Sequence, residues 1–192
     1  MKIGVLALQG DFHEHQVVLE SIGAQSAQVR LPGELVGLDG LIIPGGESTT
    51  IGKLAVAYGL MEPLRAFGAD HAMWGTCAGA IFLSNTSSLN QPLLNLMNIT
   101  IQRNAFGRQV DSFEVELDIP ALAEVDPTCA PFRTVFIRGP VISAVQPPAE
   151  ALSTLPDGRI VAARQGRLLA TSFHPELTGD TRFHQLFLEM AK

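Results

Sequence analysis

The chain has 192 residues, 46% of them hydrophobic, which is enough to bury one sizeable core and too few for two full domains. Its formal net charge is -6 and no Lys- or Arg-rich run occurs, so the electrostatic footprint of a nucleic-acid binder is missing. The apolar start Ile3 to Leu8 falls well short of a signal-peptide core or the roughly 20 residues of a membrane span, and the chain has two cysteines, Cys77 and Cys129, so a reduced, cytoplasmic protein with neither nucleic acid nor membrane as partner is expected.

In chain order, Lys2 to Leu8 reads as a buried strand, Glu14 to Ile22 as a helix, and Gln25 to Val29 and Gly40 to Ile43 as further strands. Helices follow over Thr49 to Tyr58 and Met61 to Phe67, then a short strand His71 to Trp74 that runs into Gly75-Thr76-Cys77-Ala78-Gly79 and a helix over Ala78 to Leu83. Alternation of this kind predicts a parallel sheet flanked by helices. Beyond Asn98 the pattern changes to short runs rich in β-branched and aromatic residues: Ile99 to Gln102, Ser112 to Leu117, Thr134 to Ile137, Val141 to Val145, Ile160 to Arg164 and Leu168 to Thr171. Part of the sheet is therefore expected to be antiparallel or mixed. Asp180 to Met190 closes the chain as an amphipathic helix.

The pentapeptide around Cys77 has the layout of a nucleophile elbow, with cysteine where hydrolases place serine and a glycine at each end of a sharp strand-to-helix turn. The structural alternative is a buried cysteine in a Gly-rich turn. A thiolate nucleophile needs a base, and of five histidines His174 stands just past the predicted strand Leu168 to Thr171, followed by Pro175 and by Glu176, which can orient the imidazole. Without the elbow, His-Pro-Glu would read as an ordinary polar loop. Pro44-Gly45-Gly46-Glu47-Ser48 follows another strand end, so Gly45 or Gly46 can add a second oxyanion donor to the Ala78 N–H. A phosphate-binding loop competes poorly there, because Leu54 stands where the metal-binding hydroxyl belongs. His13-Glu14-His15 has no further ligand close in sequence, so no metal is expected. Cys129, in a Pro-rich loop, reads as a bystander.

Together, Pro44 to Ser48, Gly75 to Gly79 and Ser172-Phe173-His174-Pro175-Glu176 resemble the three signatures of class I glutamine amidotransferases, in the same order and spacing. Within that superfamily, Leu6-Ala7-Leu8-Gln9-Gly10-Asp11-Phe12, Arg103-Asn104-Ala105-Phe106-Gly107-Arg108-Gln109, Ser112-Phe113-Glu114 and Phe136-Ile137-Arg138 are similar to the glutaminase subunits of pyridoxal 5′-phosphate synthase. The resemblance implies an α/β, single-domain, flavodoxin-like three-layer sandwich over residues 1–192, with a mixed, mostly parallel sheet and a nucleophile elbow. It implies hydrolysis of L-glutamine by Cys77, His174 and Glu176 without a cofactor, glutamine binding by Gly46, Glu47, Ser48, Arg103, Ile137 and Arg138, and transfer of ammonia to a synthase subunit. An arginine suits the substrate α-carboxylate. Contact with the partner is expected near Gln9, His13 and His15. The alternatives are an amidotransferase subunit of another pathway and a non-catalytic regulatory module on the same fold. Gly139, where the family often has alanine, and the variant strand Asn98 to Gln102 depart from the pattern without touching the triad.

Overall fold

The computed structural model describes residues 1–86, 88–103 and 112–192. Its first half runs β1 (Lys2–Leu6), α1 (Phe12–Ser21), β2 (Gln25–Val29), β3 (Gly40–Ile43), α2 (Ser48–Ala57), α3 (Met61–Asp70), β4 (Ala72–Thr76) and α4 (Ala78–Leu83). The second half adds β5 (Ile99–Gln102), β6 (Ser112–Leu117), β7 (Phe132–Ile137), β8 (Val141–Val145), β9 (Glu150–Thr154), β10 (Ile160–Gln165), β11 (Leu168–Thr171) and α5 (Arg182–Met190).

One sheet runs in the order β2-β1-β3-β4-β11-β10-β8-β5, with β9 paired to β10. Strands β2, β1, β3, β4 and β11 are mutually parallel, and β10, β8, β5 and β9 continue the sheet in antiparallel fashion. The mixed sheet expected from the change of pattern is thus observed. Two departures are informative. Strand β9 lies where no strand was expected, because Glu150-Ala151-Leu152-Ser153-Thr154 has no clear apolar alternation and owes its extended form to the bulged ladder with β10. Strands β6 and β7 do not join the main sheet; they form a separate two-stranded ribbon.

Alternation along the parallel strands sends side chains to two cores. Ile3, Val5, Ile42, Ala72 and Trp74 face α1 and α5, whereas Leu6, Leu41, Ile43 and Met73 face α2, α3 and α4. Helix α5 commits Phe183, Leu186, Phe187 and Met190 to the first of these cores. Burying each such side chain contributes about 1.5–3 kcal/mol. The β6–β7 ribbon packs on the same core through Phe132 and Phe136, both of which meet Phe173.

Candidate active site

The chain leaves β1 for β2 on one side, then crosses to β3 on the other, so the loops after β1 and β3 open side by side at a topological switch point. They are tied together there. The Asp11 N–H donates to the Gly45 carbonyl at 3.1 Å, and the Glu47 N–H donates to Gln9 Oε1 at 2.6 Å. Gly10 has a φ of 100°, and a side chain on it would overlap the Gly45 carbonyl, so only glycine lets the loops approach this closely.

Next along the sheet edge, Cys77 holds φ 49° and ψ -103° between β4 and α4. That conformation is costly for a residue with a Cβ and persists because its surroundings enforce it. The Cys77 N–H donates to the Thr171 carbonyl at 2.8 Å. A side chain on Gly75 would run into the Gly79–Ala80 backbone, and one on Gly79 into the Ile43 carbonyl. Both glycines are thus required by space, and the elbow expected from the pentapeptide is present. As the first residue of α4, Ala78 has an N–H without an intrahelical acceptor.

Parallel pairing of β4 with β11 sets Thr76 opposite Thr171, so the chain leaving β11 reaches the edge that presents Cys77. His174 is fixed there by its own N–H, which donates to the Val135 carbonyl on β7 at 2.8 Å. A short 3-10 turn over Pro175–Leu177 swings Glu176 back beneath the imidazole, which explains the two-residue spacing of base and acid. His174 Nδ1 lies 2.7 Å from Glu176 Oε1 with both side chains buried, and Cys77 is close enough to the ring to shift its pKa. Burial alone would lower the His174 pKa, but the hydrogen bonds and charges of Cys77 and Glu176 outweigh it and hold the pKa above the ordinary imidazole range. Burial raises the pKa of Glu176, and the His174 contact opposes that rise. A second acid stands nearby, with Asp11 Oδ2 3.7 Å from His174 Nδ1.

Beside Cys77 lies a cavity of about 230 Å³. Gly46, Glu47, Ser48, Ala78, Arg103 and Arg138 line it together with Cys77, and Ile81 and Pro140 complete the wall. Two of the expected residues do not line this cavity. Gly45 sits behind the cavity against His174, and Ile137, 43% exposed, does not line it, because alternation along β7 turns its side chain outward while Arg138, at φ 47°, takes the wall position. Of the Arg103 to Gln109 string, residues 104–109 lie outside the described residues.

Glu47 caps α2, accepting from the backbone of Thr49 and Thr50 and from the Thr50 hydroxyl. Those bonds, the Thr50 hydroxyl first, push its pKa down to about 2. The same carboxylate lies 3.5 Å from Arg103 Nη2, while Arg103 Nη1 donates to Gln91 Oε1 at 3.2 Å. The arginine is therefore anchored at the cavity wall, and Gln91 is a supporting residue that no local motif revealed.

The greatest change concerns His15. Expected with Gln9 and His13 at a partner surface, it instead has a side chain without solvent exposure, while His13 is exposed. Residues two apart on a helix face different ways, and here the second of the pair points into the protein. It lies against Glu176 and against His184, a residue the sequence reading left aside. The signal was available: His184 falls between Phe183 and Phe187 on the buried stripe of α5.

The chain is similar to known proteins along its whole length. A subunit named PdxT of pyridoxal 5′-phosphate synthase from Herpetosiphon aurantiacus is 58% identical over 193 residues, 98% of this chain and 99% of that protein. Its namesake in Deinococcus radiodurans is 56% identical over 198 residues, 100% of this chain and 97% of that one. A crystal structure of a glutamine amidotransferase matches with a TM-score of 0.91 at 47% identity over 98% of each chain. The structure of PurLQS from Thermotoga maritima, at 16% identity and a TM-score of 0.73, shares the fold. Because the family match runs from β1 to the last residue, 5–192, and relatives are more than half identical along the whole length, the chain belongs to the SNO glutamine amidotransferase family.

Proposed function

We propose that residues 1–192 form one glutaminase domain that hydrolyses L-glutamine to glutamate and ammonia and passes the ammonia to the synthase subunit of pyridoxal 5′-phosphate synthase. The observation that carries this reading is the line Cys77–His174–Glu176 at the rim of a cavity walled by Arg103 and Arg138. Arg103, anchored by Glu47 and Gln91, holds the α-carboxylate of glutamine through charge-assisted hydrogen bonds. The Cys77 sulfur then attacks the side-chain amide carbon, and the oxyanion is met by the N–H groups of Ala78 and Gly46. The Gly45 carbonyl is tied to Asp11, which turns the Gly46 N–H of that peptide away from Asp11.

His174, which has taken the Cys77 proton, gives it to the leaving nitrogen, releasing ammonia and leaving a glutamyl thioester on Cys77. It next takes a proton from water, whose oxygen attacks the thioester carbon, and glutamate leaves as the thiol is restored. Glu176 keeps Nδ1 protonated so that Nε2 faces the sulfur. The names of the relatives supply the pathway, and exposed His13 marks a part of α1 open to a partner. No helix among the described residues is long and apolar enough to cross a membrane, and Cys77 and Cys129 are both free, which supports a cytoplasmic location.

Glutamate release, measured with and without the synthase subunit, tests the reading. Cys77→Ala is expected to lose at least about 10⁴-fold in kcat. Retained activity in that variant would remove Cys77 as the nucleophile. Label from the amide nitrogen of glutamine should appear in the product of the mixed complex, and its absence would detach the chain from that pathway.

A further inference from the structure

Two histidines with no part in this mechanism lie behind the triad, both without solvent exposure: His15 on α1 and His184 on α5. His15 Nδ1 is 3.0 Å from His184 Nε2, while His15 Nε2 lies 3.2 Å from Thr76 Oγ1 and 3.4 Å from Glu176 Oε2. Trp74 closes the pair off, meeting both rings edge-on at centroid distances of 5.6 and 4.9 Å. Glu176 Oε2 and His184 Nδ1 are both buried, and neither makes a hydrogen bond among the described residues, although His15 Nε2 approaches Oε2 to 3.4 Å.

Two arrangements of protons are possible, and they differ in what they leave unpaired. If His15 donates from Nδ1, His184 accepts at Nε2 and must carry its own proton on Nδ1, where a buried donor has nothing to bind. In that case the bare His15 Nε2 also turns its lone pair on the Glu176 carboxylate. If His184 donates from Nε2 instead, its empty Nδ1 is a lone acceptor and the His15 proton sits on Nε2, at hydrogen-bond distance from the Thr76 hydroxyl and with Glu176 Oε2 3.4 Å from the same nitrogen. The second arrangement wastes no donor and places one beside the carboxylate oxygen that His174 does not use.

We propose that the His184–His15 pair is a positioning device for Glu176: His184 fixes the tautomer that aims the His15 Nε2–H at the free carboxylate oxygen, so that the acid keeps its orientation and its charge for His174. This deepens the glutaminase reading and rests on it. Both rings are neutral, as burial, first of the causes, holds the pKa of His15 well below the imidazole range and that of His184 at about 3. Neutrality matters here. A cationic His15 would compete with His174 for the charge of Glu176, whereas a neutral N–H orients the carboxylate without cancelling it. The charged or titratable groups facing Glu176 are His174 from its own turn, His15 from α1 and Asp11 from the preceding loop; those facing His15 are Glu176, His174 and His184.

Nitrogen-15 shifts of labelled histidine in the intact chain test the tautomers directly. Protons on Nε2 of both His15 and His184 at neutral pH are expected, and a proton on His15 Nδ1 would overturn the proposal whether or not the protein is active. Kinetics of the complex with the synthase subunit form the second arm, with circular dichroism confirming that each variant folds. His15→Leu should lower kcat about tenfold with little change in KM, and should move the acid limb of the pH profile upward, because a carboxylate with one donor fewer is protonated sooner. His15→Gln, whose amide can return an N–H near the same place, should restore the limb and most of the rate. An unmoved limb in His15→Leu, or no advantage of Gln over Leu, would reduce His15 to a packing residue. Wild-type protein that releases no glutamate would sink the glutaminase reading instead, and the tautomer measurement would still stand by itself.

Discussion

The layer formed by α2, α3 and α4 and the layer formed by α1 and α5 bury similar apolar sets against one sheet, yet their interiors differ in charge. Among the described residues, the hydroxyls of Ser48, Ser84 and Thr86 are buried on the side of the first. Beneath the second lie His15, His184, His174 and Glu176, packed with Trp74, Phe173 and Phe183. Cys77 stands on the seam. Its position comes from the first layer, where Gly79 lets α4 approach the Ile43 carbonyl, and its base comes from the second. Shape and charge are thus supplied by opposite faces of the sheet, and each can be disturbed separately.

Glu176→Gln should break the charged side with the largest effect. The amide can donate to His174 Nδ1 and so favours the tautomer with a proton on Nε2, which cannot accept one from Cys77; kcat is expected to fall about 10³–10⁴-fold while the melting temperature moves little. Turnover close to wild type would mean that the acid serves stability alone. The complementary lesion, Gly79→Ala, should cost about 3 kcal/mol of stability in urea unfolding, because the neighbour it meets is backbone and cannot turn aside. A loss below about 1 kcal/mol would show that the elbow has slack.

The finest test uses pH. His184 titrates near 3 when folded, against 6.5 as its ordinary value, so between those limits the unfolded chain binds a proton that the folded chain refuses. Stability is therefore full above 6.5 and falls as pH drops toward 3, by up to about 1.4 kcal/mol per pH unit for this group. His15, also lowered, works in the same direction. His174, raised, works in the other: its contribution is present below its ordinary pKa and is lost as pH climbs through its folded value. In His184→Phe the acid slope should become shallower by the share of one histidine, and denaturant midpoints at several pH values will show it. An unchanged slope would place the refused proton on another group.

How much of this was legible depends on the range over which each feature is decided. The strands and helices flanking the site fell where the apolar pattern placed them, usually within two residues, and the elbow was read from five residues because glycine at 75 and 79 is a local steric demand. Strand β9 was not legible, since its ladder with β10 and not its own pattern makes it extended. Nor was the outward turn of Ile137 on the β6–β7 ribbon, or the burial of His15, because helical phase says that His13 and His15 diverge but not which of them meets the sheet.

From the sequence alone came the kinds of group at work: a cysteine in a turn only glycines permit, a histidine with an acid two residues on, and glycine-rich loops at strand ends. Tertiary structure decided their company. The parallel register of β4 and β11 carries His174 to Cys77, and the packing of α1 against α5 sets two neutral histidines behind Glu176. Steric limits on a turn act within a few bonds and leave their mark in neighbouring residues, whereas register and helix packing are set by the summed burial of side chains distant along the chain, which no short stretch records.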